Sequence, residues 1–159
     1  MANKKIEDFK EVMKNGMLNN FQSSGFLVPV MFFMRGNEAV VSEIPKELLK
    51  DYEGKALLAD MIKKICRQPD VIAGGIIIEA YAKSVSQNDE ISKLLLNGDI
   101  RISELKEKDE IILMVFSTPE KEEAIAYYVD CLNKTIGKEL PKCNSAGGTF
   151  SGFFDWNRN

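Results

Sequence analysis

Glu79, Tyr81 and Lys83 occupy alternate positions of one stretch. In an extended strand that spacing sets a carboxylate, a phenol and an ammonium on the same side. Buried together, such groups could move protons, because desolvation draws their pKa values toward neutrality. A neighbouring strand could add Glu110, Glu123 or Tyr127. The same row also describes a solvated sheet face with cross-strand pairs. Glu79, Tyr81 and Glu110 are therefore candidates for binding a small molecule, and no residue is assigned a catalytic role.

Other chemistries are excluded more firmly. The 159 residues include no histidine, which removes serine–histidine and cysteine–histidine nucleophiles and the usual zinc sites together. Cys66, Cys131 and Cys143 form no CxxC pair, so no metal is expected. Cys66 falls beside a helical apolar stripe and reads as core packing. Cys143, beside Lys142, is the thiol with exposure. Gly54-Lys55-Ala56 lacks both the upstream glycine and the hydroxyl of a phosphate loop. Gly74-Gly75 reads as a bulge or a close backbone approach within a strand, and Gly147-Gly148 as a loop. No cofactor is expected.

Phe153, Phe154 and Trp156 crowd a short segment near the end of the sequence. Chain ends fray unless something holds them, so this aromatic content implies docking, either on the chain's own domain or on a partner or second copy. These three are the partner-docking candidates. Net charge is −3 and the lysines are dispersed, which argues against nucleic-acid binding. No apolar run approaches a membrane span, and the start of the chain carries no apolar leader, so a cytoplasmic protein with free thiols is expected.

The elements that must position these residues follow from periodicity. Ile6, Phe9, Met13, Met17 and Phe21 recur at helical spacing, and Ser23-Ser24-Gly25 ends that helix. Phe26–Met34 is β-prone, with Pro29 near a strand start or on an edge, and Arg35-Gly36-Asn37-Glu38 turns it into a partner strand, Ala39–Ile44. Leu58, Met61, Ile62 and Ile65 mark a second helix that ends before Pro69, with Leu48 and Leu49 in a separate earlier turn. Val71–Lys83 is a long strand, 86–96 a short helix, and Ile111–Phe116 a central strand covered on both faces. The segment from Thr118 to Leu132 fits a hairpin turn and strand, while a helix matches the spacing of Ala124, Tyr128, Cys131 and Leu132. Residues beyond Asn133 look irregular. One α+β domain is expected over 1–159, with a mainly antiparallel sheet of about five strands and two principal helices packed against it.

Val28-Pro29-Val30, Ile78-Glu79-Ala80-Tyr81, Asp109-Glu110 leading into Ile111-Ile112-Leu113-Met114-Val115, and Gly148-Thr149-Phe150 together resemble a loosely defined group of uncharacterised small bacterial and phage-encoded α+β proteins. The resemblance covers about Ile6 to Phe154 and implies a strand over Glu122–Val129. Tyr81 stands where tryptophan is expected in many of that group. The resemblance implies an accessory or virion-associated phage protein, in the host cytoplasm or the virion, and transfers no activity. The function expected is a non-enzymatic protein-interaction or self-associating protein without nucleic acid or membrane. A small-molecule binder or carboxylate-dependent enzyme using the Glu79/Tyr81 strand face is the alternative.

Overall fold

In the computed structural model, residues 2–82, 108–140, 150 and 152–154 are described, together with isolated positions 90, 93, 94 and 97. Helix α1 runs over Ala2–Ser24 and buries Phe9, Met17 and Phe21. It stops where Gly25 takes φ +78°, its N–H donating to Phe21 O at 2.7 Å. Glycine is required there twice over. The left-handed backbone disfavours a side chain, and an added Cβ would lie 2.8 Å from Lys134 Cγ and 3.0 Å from Cys131 O.

Strand β1, Val30–Arg35, begins directly after Pro29 and turns at Gly36-Asn37 into β2, Glu38–Glu43. A short 3₁₀ turn at Lys46–Leu49 precedes α2, Tyr52–Cys66. Asp51 caps α2 by accepting the Gly54 N–H. The remaining strands are β3 (Val71–Ala82), β4 (Asp109–Ser117), β5 (Glu122–Asp130) and β6 (Thr135–Glu139). They form one antiparallel sheet in the order β2-β1-β3-β4-β5-β6.

This is the expected α+β class, and among the described residues the sheet has six strands where about five were expected. Thr135-Ile136-Gly137-Lys138-Glu139 escapes a periodicity reading because an edge strand with one apolar residue and a glycine shows no alternation. The segment after Ser117 is strand. Thr118 Oγ1 accepts the N–H groups of Glu120 and Lys121, and its own N–H donates to Lys121 O at 2.8 Å, so Thr118-Pro119-Glu120 closes a tight turn and does not open a helix.

The central strands of the sheet are covered on both faces. On the first face, α1 packs Phe9, Met17 and Phe21 over Phe32, Ile77, Ile112, Met114 and Phe116. On the second, α2 sets Leu58, Ile62 and Cys66 over Phe33, Ile76 and Val115, and Phe153 and Phe154 complete that layer. The glycine pair in β3 explains why the core closes. Gly75 lies directly between Phe32 and Phe116 in register, and its missing side chain lets those rings stack at 5.6 Å, with Phe9 meeting Phe32 edge-on. A Cβ at Gly75 would fall 1.8 Å from Val115 O. The close-approach reading of Gly74-Gly75 is thus the structural one.

Candidate functional site

One end of the sheet gathers the last residues of β3, the first of β4, the last of β5 and the C-terminal end of α1. Tyr81 pairs with Glu110 and Glu79 with Ile112, so Glu79, Tyr81 and Glu110 share the first face in adjacent strands. Tyr127 faces Ile112 from the next strand on. Glu123 faces Phe116 at the opposite end of the sheet and does not join them.

The polar groups of this end are engaged within the protein. Glu79 Oε1 accepts the Leu27 N–H at 2.6 Å, which fixes the chain between α1 and β1 where no strand partner reaches. The Tyr81 ring carries the Lys108 ammonium 4.7 Å from its centroid. Cys131, in the turn after β5, has its thiol pushed up to about 12 by burial, by its hydrogen bond to the Glu110 carboxylate and by the charges of Glu110, Glu79 and Asp130. It is a neutral thiol at physiological pH and a poor nucleophile. Asp130 is held below the usual carboxylate range by the side-chain and backbone N–H groups of Asn133 and the Leu132 N–H, so it stays charged.

Exposed apolar residues stand at the same end of the sheet. Gly25 rests against Cys131 and Lys134, which brings Phe26 and Leu132 to the same end as Tyr81. Leu132 is 92% exposed, Phe26 58%, Tyr81 45% and Val28 44%. Among the described residues, the charged groups at this end are Glu79, Asp109, Glu110 and Asp130 against Lys108 and Lys134, an acidic balance. Reading the sequence found Glu79, Tyr81 and Glu110 but missed Cys131, Phe26 and Leu132 as their neighbours. Phe26 was absorbed into a strand pattern, and Cys131 and Leu132 into a helical one. The weak available signal was the Asp130-Cys131-Leu132-Asn133 order, an apolar residue inside turn chemistry.

Phe153 and Phe154, two of the expected partner-docking candidates, pack on the chain's own domain, with their rings buried in the second core. The Gly152 N–H donates to Glu122 Oε1 at 2.9 Å, which also accepts from Ser117 Oγ at 3.2 Å. Glu122, a buried carboxylate unmarked by any sequence pattern, is the latch. Cys66 is core, with its thiol pushed up to about 12 by burial. Lys83, Cys143, Gly147, Gly148, Trp156 and the helix expected over 86–96 lie outside the described residues.

Far from this end, Lys10 bridges Glu7 at 2.7 Å and Glu123 at 3.1 Å, and Lys121 bridges Glu123 at 2.9 Å and Glu7 at 3.5 Å, tying α1 to the start of β5. Among the described residues, no group of three or more cysteine, aspartate or glutamate side chains is placed to hold a metal ion, and no helix is long and apolar enough to cross a membrane. No protein-family model, curated protein or solved structure matches this chain.

Proposed function

We propose that the chain is a protein-interaction module whose working surface is the rim of Phe26, Val28, Tyr81 and Leu132 at the Glu79 end of the sheet. One observation carries this reading: large apolar side chains from three separate elements stand exposed at the same end of the sheet as polar groups that already have internal partners. Carboxylate catalysis needs a carboxyl poised to give or take a substrate's proton. Here Glu79 holds backbone and Glu110 holds a thiol. Docking needs apolar area to remove from water, and burying the Phe26 and Leu132 side chains would contribute roughly 1.5–3 kcal/mol each. The acidic balance fits a partner segment that brings apolar residues with lysine or arginine beside them.

A photo-crosslinking residue placed at position 132, in cells that make the protein, tests this. The expected result is a discrete crosslinked protein species that disappears when Phe26→Ser and Tyr81→Ser are introduced together. Absence of any discrete species, or one unchanged by those substitutions, would overturn the proposal.

A further inference from the structure

Strand β2 stands apart from the rest of the sheet. Its residues are exposed except for the half-buried Ser42, and Val40 and Val41 are 41% and 53% exposed on opposite faces. Among the described residues it is an edge strand with one neighbour. Which of its backbone groups look outward follows from the hairpin. A two-residue turn makes Arg35 and Glu38 a hydrogen-bonded pair, and the Ile44 N–H donates to Pro29 O at 2.9 Å, so Glu38, Val40, Ser42 and Ile44 bond toward β1. The N–H and C=O groups of Ala39, Val41 and Glu43 are left aimed away from the sheet.

We propose that this edge is a self-association surface, in which two copies pair β2 antiparallel about a two-fold axis through Val41 and join their sheets into one. Outward-facing residues must meet outward-facing residues, and Val41 is the middle one of the three. A two-fold there engages them all: Val41 faces Val41, and Ala39 of each copy faces Glu43 of the other. On the other face Val40 meets Ser42. Glu38 falls opposite Ile44, so no two like charges are directly opposed, which is the condition that most often disfavours a strand pair. A cation is also in place. Lys5 Nζ donates to Asn37 Oδ1 at 2.6 Å, on the first face beside the hairpin turn. Glu43 of the second copy, facing Ala39 on that same face, arrives two residues along from Asn37, the residue that Lys5 holds. The axis makes this placement twice. The exposed faces of β2 are what permit the approach, because a helix overhanging either side would hold the second copy away.

Two measurements test the proposal without depending on each other. Sedimentation from micromolar to millimolar concentration should show a monomer–dimer equilibrium. Val41→Pro should abolish it while leaving the far-UV spectrum unchanged, since that substitution deletes an outward donor and no bond to β1. Val41→Cys, in a background with Cys131→Ser and Cys143→Ser, should be joined into a covalent dimer by a short thiol-to-thiol crosslinker, because a self-opposed hydrogen-bonded pair sets its Cα atoms about 5.5 Å apart. Ala39→Cys in the same background should not. A chain that stays monomeric throughout, a dimer indifferent to Val41→Pro, or equal crosslinking at positions 39 and 41 would overturn it.

Discussion

Glu79→Ala separates the two roles a carboxylate at this position could have. In the structure its Oε1 accepts the N–H of Leu27, a residue only 6% exposed, at 2.6 Å. Truncation to alanine strands that donor away from water. A hydrogen bond to a charged group contributes about 1.5–3 kcal/mol, and an orphaned buried donor costs a similar amount, so a loss of about 2 kcal/mol is expected. For a domain of this size each kcal/mol moves Tm by about 2–4 °C, which gives a drop of about 4–8 °C. Glu79→Gln keeps an oxygen at the same reach and loses only the charge, so it should lose about 1 kcal/mol or less. Urea unfolding of the three proteins, followed by far-UV circular dichroism, measures all of this. If alanine proves as stable as wild type, or if glutamine is as damaging as alanine, Glu79 is not holding the α1–β1 connection and the structural assignment fails.

Gly75→Ala should lose about 3 kcal/mol or more in the same assay, because its Cβ meets a backbone oxygen at 1.8 Å, whereas Gly74→Ala should lose less, since the nearest atoms are the movable Cys66 Sγ and Phe33 ring at 3.0 Å. Cys131, in a Cys143→Ser background, should alkylate roughly a thousandfold more slowly near pH 8 than a free thiol, and Glu110→Gln should speed it, as followed by intact mass. Hydrogen bonding to Lys10 lowers the Glu7 carboxyl, and Lys121 and Lys10 lower that of Glu123 against its partial burial. A depressed carboxylate contributes stability that is present above its unfolded pKa and lost as pH falls through its folded one. Comparing unfolding at neutral pH and at pH about 3 should therefore show a smaller acid loss in Glu123→Gln than in wild type.

How much of this was legible in the sequence depended on burial. Phe9, Met17 and Phe21, or Ile76 alternating with Ile77, announce their elements because a buried face imposes its period. β6 has no buried face, so Gly137 and Lys138 looked like loop. The segment 122–130 was ambiguous because Ala124, Tyr128, Cys131 and Leu132 fit a helical spacing while Ile125-Ala126-Tyr127-Tyr128-Val129 is strand-like in content, and the turn at Thr118 decides it through hydrogen bonds that no periodicity reports. At the site, Glu79, Tyr81 and Glu110 came from strand alternation and an adjacent register. Leu27, Cys131 and Leu132 reach the same place through the end of α1 and the β5–β6 turn, contacts distant in sequence that local spacing does not encode. The Glu122 latch on Gly152 is of the same kind.

The most direct test of the central claim compares capture of a binding partner from a lysate by wild type, by Phe26→Ser with Leu132→Ser, and by Glu79→Gln with Glu110→Gln, each matched for folded protein. One specific partner should be held by wild type and by the carboxamide variant and lost by the rim variant. Retention by the rim variant, or loss confined to the carboxamide variant, would contradict it and return the function to the carboxylates.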